Sequence, residues 1–278
     1  MFEPANSIPH PAPRASRPAG GERAFERIEG DLDKGLIIIC DHASNHVPAA
    51  YRDLGLPPAE FERHIAYDIG AADVARAIAR SLGVPAVLSG FSRILIDPNR
   101  GPEDPTLVMK LSDGAVVPGN RLVDEAEILY RRANYYDPYH REIDNLLDEG
   151  IARGKPPAIF SVHSFTPFWK SVLRPWHATV LWDKDDRLPR PLMQALRAIE
   201  GIVTGDNVPY SGELRGDTLY RHGSTRGLAH ALIEIRQDQI SDEEGVARWA
   251  ERLSTILADC LEQPGLNEIR YYGSKTDK

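Results

Sequence analysis

Short apolar runs alternate with longer helical patterns along most of the chain. Leu36-Ile37-Ile38-Ile39-Cys40, bounded by Gly35 and Asp41, predicts a strand buried on both faces. Phe61, Ile65, Ile69, Ala72, Ile78 and Leu82 recur near a 3.6-residue period, which predicts a helix opened by Pro57-Pro58 and closed by Gly83. Residues 85–89 and 91–97 predict two more strands joined through Gly90. Residues 98–120 hold four prolines and three glycines and predict a long surface excursion, a kind of loop that often carries function. A helical region over 121–152 follows, bending or breaking near Pro138. Strands are predicted over 158–162 and 179–182, then a short helix over 192–199. The stretch 203–227, rich in Gly, polar and aromatic residues, predicts a second functional loop before a strand over 230–235. Ser241 and Glu244 have the spacing of a capping box for a last helix that ends near Leu261.

Strands separated by helices predict a three-layer α/β/α fold around a mixed, mostly parallel central sheet. The first 30 residues carry Pro4, Pro9, Pro11, Pro13 and Pro18 without apolar periodicity, and predict a Pro-rich arm; residues 31–278 predict one α/β domain. The arm lacks the apolar centre of a signal peptide.

Composition narrows the function classes. Hydrophobic residues at 42% and charged residues at 27% are ordinary globular usage and exclude a wholly disordered, collagen-like or coiled-coil chain. Lys and Arg number 33 against 41 Asp and Glu, a net charge of −8 that argues against nucleic-acid partners. No apolar run approaches the roughly 20 residues a bilayer needs, so no membrane partner is expected. Two cysteines, Cys40 and Cys260, lie far apart and fit a reducing, cytoplasmic compartment. Cys40 ends an apolar strand, which favours a buried inert thiol. Oligomeric state is not legible.

In parallel sheets ligands gather beyond the carboxyl ends of the strands, so polar residues there carry most weight. His42 and His163 follow two such strands and could converge on one metal, which as a catalytic zinc needs three protein ligands. Asp68, a carboxylate among Ile65, Ala66, Ile69 and Gly70, is the candidate third; a surface pair with His64, four residues earlier, is the alternative. Glu234, inside an apolar strand, is a candidate general base whose pKa desolvation would raise; the alternative is a salt bridge to Arg236 or Arg226. Arg93, Asn99 and Arg100 offer cations and an amide to an acidic substrate, or pair with Asp97 and Glu103. Ser164 beside His163, and His222 with Arg226, complete the candidate substrate contacts. Trp169, Trp176 and Trp182 are read as core or rim packing, and His10 and His177 as surface residues.

Five segments in order resemble the N-formylglutamate amidohydrolase family. They are Ile39-Cys40-Asp41-His42-Ala43-Ser44-Asn45-His46-Val47-Pro48, Ala66-Tyr67-Asp68-Ile69-Gly70, the more specific Ser92-Arg93-Ile94-Leu95-Ile96-Asp97-Pro98-Asn99-Arg100, Ser161-Val162-His163-Ser164-Phe165, and Arg221-His222-Gly223 through to Ile235. The resemblance implies a zinc-carboxypeptidase-like fold. It implies hydrolysis of the linear formyl amide of N-formyl-L-glutamate, or of another small acidic N-acyl amino acid, with zinc or another divalent ion. His42 and His163 would be metal ligands, Arg93 and Arg100 would hold carboxylates, and Glu234 would be the base. Two departures stand out. Asp41-His42-Ala43-Ser44 replaces the family's usual Pro-His-Ser-Gly, and Asn45 stands where the carboxypeptidase pattern places a glutamate, which leaves Asp68 to complete the metal site.

Overall fold

A computed structural model describes residues 23–277. In chain order the elements are β1 (Phe25–Ile28), β2 (Leu36–Cys40), α1 (Ala71–Leu82), β3 (Ala86–Ser89), and a hairpin of β4 (Leu111–Ser112) and β5 (Ala115–Val116). Then come α2 (Glu125–Arg131), a π-turn over Arg132–Tyr136, α3 (Asp137–Ala152), β6 (Ala158–Phe165), and a second hairpin of β7 (Phe168–Trp169) and β8 (Val172–Leu173). The chain ends with β9 (Ala178–Leu181), α4 (Pro189–Arg197), β10 (Thr204–Asp206), α5 (Thr218–His222), β11 (His230–Arg236) and α6 (Glu243–Leu261).

Seven strands form one sheet in the order β1-β3-β2-β6-β11-β9-β10, with antiparallel pairing only at β1–β3 and β11–β9. The expected mixed, mostly parallel sheet is therefore present. Alternate residues of β2 explain why helices cover both faces. Leu36, Ile38 and Cys40 face α1 in a cluster that α6 and α4 extend along the sheet, whereas Ile37 and Ile39 belong to the opposite cluster with Tyr139, Ile143 and Leu147 of α3. All five are 0% exposed, and each buried Ile or Leu contributes about 1.5–3 kcal/mol relative to exposure.

Four expectations change in the structure. The helix expected to open at Pro57-Pro58 begins only at Ala71; before it lie a short 3-10 turn over Pro58–Glu62 and irregular chain. Gly70 forces the break: its φ is +78°, and a Cβ there would fall 2.3 Å from the Ile240 carbonyl oxygen. The helical spacing was shared with a separate apolar cluster, in which Ile65 and Ala66 pack on Leu54, Leu56 and Ile94. Residues 91–97 form turns rather than a strand, because β1 occupies the edge beside β3 and the Gly90 N–H donates to the Ala24 carbonyl. The expected arm accordingly ends early: β1 lies within it, and its first 22 residues, with His10, lie outside the described residues. Finally, Asp242 rather than Ser241 caps α6, accepting from the Gly245 N–H at 2.7 Å. Near Pro138 the helical path does not break: α2, the π-turn and α3 follow one another without interruption, and the local irregularity is the π-turn that ends at Tyr136.

Candidate active site

The site grows from the ends of β2 and β6 and from the turn that precedes α1. His42 directly follows Asp41 at the end of β2, and His163 lies near the end of β6. The Asp68 N–H donates to the His42 carbonyl at 2.9 Å, so the pre-helical turn is stitched to the strand end. All three side chains are buried. Asp68 Oδ2 lies 3.3 Å from His42 Nδ1 and 2.8 Å from His163 Nδ1. His64 is not its partner and faces Asp113 at 3.4 Å instead. Asn45 is also elsewhere, its amide donating to the Phe61 carbonyl.

The hydrogen bonds around this cluster define what it needs. His42 Nε2 meets Asp97 Oδ1 at 2.7 Å, and His163 Nε2 meets Asp41 Oδ2 at 3.0 Å. Both acids are ionised: the imidazoles hold Asp41 at about 2 against the cost of burial, and Arg93 and His42 hold Asp97 well below the usual range. A carboxylate only accepts, so each Nε2 carries a hydrogen. In the neutral rings, both Nδ1 lone pairs then point toward the Asp68 carboxylate. Three mutually facing acceptors require a positive centre between them. Without a metal that centre is a proton: burial opposes it, but the Asp41 and Asp68 carboxylates outweigh the burial and raise His163 to about 10.

A divalent cation fits the same place. The donor atoms of His42, Asp68 and His163 lie within 4.8 Å of one another. Zinc bonds of about 2.0–2.1 Å put tetrahedral ligands about 3.3 Å apart, comparable with the 2.8 and 3.3 Å from Asp68 Oδ2 to the two Nδ1 atoms. Asp97 and Asp41 on the far ring nitrogens are the usual supports of metal-ligating imidazoles. Asp41 is itself fixed by donations from Tyr139 at 2.9 Å and from Thr218 at 2.7 Å.

Glu234 is the register partner of His163 across the β11–β6 pairing, and it lines the same cleft. It has no salt bridge to Arg226 or Arg236, which pair with Asp144 and Asp238. Desolvation, followed by the nearby Asp68 charge, raises its carboxyl to about 7. The cleft encloses about 480 Å³ and is also lined by Arg93, Asn99, Arg100 and Ser164. Arg93 is largely committed: Nε and Nη2 donate to Asp97 Oδ2 at 3.2 and 2.8 Å, and Nη1 lies 3.6 Å from Asp68. Arg100 donates to the Asn99 carbonyl and the Thr106 hydroxyl, and its charge acts to lower the nearby Asp97 and Asp217 carboxyls. The Ser164 hydroxyl donates to the Ile69 carbonyl while its N–H meets Asp68.

Two expected substrate contacts lie outside the cleft. His222 is fully buried against His140 and Asp144, and Arg226 pairs with Asp144 and Asp148. Their Gly-rich segment looked like a loop, but 218–222 is helix α5 and turns the ring inward. Sequence reasoning missed Asp41 and Asp97 as the groups that orient the imidazoles, although each is a carboxylate ending an apolar run. It also missed Asp217, which caps α5, lines the cleft and is raised by burial to about 7. Cys40 is buried with its thiol pushed up, as an inert residue should be. His177 accepts from the Val203 N–H at 2.9 Å, a structural role at the edge of β10.

Fold and site together define an α/β protein with a buried His–Asp–His cluster in a cleft beyond the carboxyl ends of its central parallel strands. The N-formylglutamate amidohydrolase family model matches residues 34–241, and the chain belongs to that family. A gene product of Agrobacterium tumefaciens with a known crystal structure is 31% identical over 86% of this chain and 95% of its own, with a TM-score of 0.80. The N-formylglutamate amidohydrolase of Ralstonia eutropha JMP134 shares the fold at 20% identity and a TM-score of 0.66, over 86% of this chain and 97% of its own. Comparison with curated proteins gives no match. Among the described residues no helix is long and apolar enough to cross a membrane.

Proposed function

We propose that this protein is a metal-dependent hydrolase of the N-acyl amide of a small amino acid, with formyl as the acyl group. N-formyl-L-glutamate, the compound in the family's name, is the reference substrate. The observation that carries the reading is the convergence of His42 Nδ1, His163 Nδ1 and Asp68 in a cleft that also holds an unpaired Glu234. A divalent ion held by His42, Asp68 and His163 would polarise the acyl carbonyl and acidify a water.

The remaining chemistry belongs to the chain. Glu234, desolvated and close to neutrality in its titration, takes a proton from the attacking water and returns it to the leaving amine. C–N cleavage then releases the neutral amine and formic acid, which holds the new C–O bond, and the acid's proton passes to the amine to leave formate and an ammonium group. Arg100 holds a substrate carboxylate by charge-assisted hydrogen bonds, with Asn99 beside it. Arg93 keeps Asp97 and Asp68 in place and so positions His42 from behind. Formate release from N-formyl-L-glutamate by zinc-loaded protein tests the reading. Turnover by the native chain and its loss in Asp68→Ala are expected; release that survives Asp68→Ala unchanged contradicts it.

A further inference from the structure

The amide-hydrolase reading leaves open which side chain the substrate carries, and the cleft itself has a marked charge and shape asymmetry. Among the described residues lining it, the groups that can carry positive charge are Arg93, Arg100 and the imidazoles of His42, His64 and His163, and both His42 and His163 face Asp68. Arg93 is tied to two carboxylates, and His64 faces Asp113, which Arg63 also holds at 2.7 Å. Arg100 donates to a carbonyl and a hydroxyl and feels the charges of Asp97 and Asp217, but among the described residues it closes no ion pair. The carboxylates Asp113, Glu213 and Asp217 line the same space. One substrate carboxylate therefore finds a guanidinium free of a close ion pair, and a second, at the mouth of the cleft, would face Asp113, Glu213 and Asp217.

Much of the remaining lining is apolar. Leu181, Leu219 and Leu232 form a buried floor, and Trp169 and Tyr210 stand on the rim at 44% and 46% exposure. That rim is built rather than merely uncovered. Arg174, itself buried, lies 5.5 Å from the Trp169 ring centroid and 5.3 Å from that of Tyr210. Its Nη2 also donates to the Tyr210 hydroxyl at 3.0 Å, so one cation holds both rings. Rings fixed before binding recognise an apolar group without the entropy cost of ordering them. A carboxylate pressed against the same wall would lose its hydration, and Arg174 does not line the cleft: its Nη atoms already donate to the Thr166 carbonyl and the Tyr210 hydroxyl.

We propose that the cleft prefers an N-formyl amino acid with a single carboxylate and an apolar or aromatic side chain. Arg100 takes the carboxylate, and Trp169 and Tyr210 receive the side chain. This rests on the hydrolase reading above and refines its substrate.

The test compares kcat/KM for formate release from N-formyl-L-phenylalanine, N-formyl-L-methionine and N-formyl-L-glutamate, using zinc-loaded full-length protein. The two apolar substrates should exceed the glutamate compound by about 10-fold or more, the scale on which hydrophobic pockets discriminate. Trp169→Ala, a change on an exposed hairpin, should lower the phenylalanine-to-glutamate ratio. Equal or better turnover of the glutamate compound overturns the substrate proposal and leaves the hydrolase reading standing. A ratio unmoved by Trp169→Ala removes the rim from the argument and overturns the assignment of the side-chain site. Release of formate from none of the three overturns the hydrolase reading, and the proposal with it.

Discussion

Two histidine pairs touch the same turn, residues 97–99, and have opposite fates. His42 reaches Asp97 with Nε2, and its partner His163 reaches Asp41, which leaves both Nδ1 atoms facing Asp68 in the cleft. His140 reaches the Pro98 carbonyl with Nε2 at 3.0 Å, and its Nδ1 meets His222 Nε2 at 2.9 Å; the far nitrogen of His222 meets Asp144 at 3.0 Å. In the second pair every nitrogen is already engaged, and the stacked rings are buried away from the cleft. The Pro98 carbonyl and the Asp144 carboxylate can only accept, so the chain of three contacts needs three hydrogens, and two neutral imidazoles supply two. The His140–His222 chain is complete only with one extra proton, which burial opposes by lowering both rings while Asp144 pulls the other way. Residue type is thus the same in the two regions. What separates a ligand from a latch is whether the second nitrogen is left facing a carboxylate in accessible space.

The sharpest separation should come from chemistry at the cleft. Glu234→Gln is expected to lower kcat by about 10²–10⁴-fold while retaining metal. A metal-loaded variant within tenfold of the parent would remove Glu234 as the base. Next, Asp97→Asn should weaken metal affinity or activity by about 10–100-fold, the usual cost of losing the acceptor behind a metal-binding imidazole. Asp144→Asn, at the end of the other chain, should leave metal affinity unchanged in a competition titration with a chelating dye. His140→Ala should act on stability instead. It strands one nitrogen of His222 and leaves the Pro98 carbonyl only the Thr218 hydroxyl at 3.3 Å, and urea unfolding should show a loss of about 1–3 kcal/mol.

The smallest effect concerns pH. Asp217 carries a folded-state pKa raised from 3.8 to about 7. Between those values the folded chain keeps a proton that the unfolded chain has released, so this group's contribution to stability declines as pH rises through the window. Asn caps a helix as well as Asp and does not titrate. Asp217→Asn should therefore gain stability over the parent as pH goes from 4 to 8, read as a widening difference in Tm. A constant difference would mean that Asp217 is not held protonated.

Much of this was legible in the chain. The uninterrupted β2 run and the strands carrying His163 and Glu234 are short apolar segments whose burial admits few alternatives. His42, Asp68, His163 and Glu234 were visible because a polar group at or within such a segment needs a partner or a purpose. The helix start, the non-strand at 91–97 and the fate of His222 were not legible, because each depends on chain far away. Gly70 is fixed by Ile240, residues 91–97 by an edge strand from the N-terminal segment, and His222 by Asp144 and His140 on α3. Spacing reports local periodicity and does not report which distant backbone already fills a place. The two orienting aspartates failed for the same reason, since their partners lie 55 and 122 residues away.

The account turns on whether the cleft pair, and not the buried pair, holds an ion. Protein purified without a histidine tag, loaded with zinc and dialysed, should retain about one ion per chain, as a site with three protein ligands does. His140→Ala should retain the same amount, and Asp68→Asn should retain essentially none. Equal zinc in Asp68→Asn and the parent, or loss of zinc on changing His140 alone, would contradict the assignment.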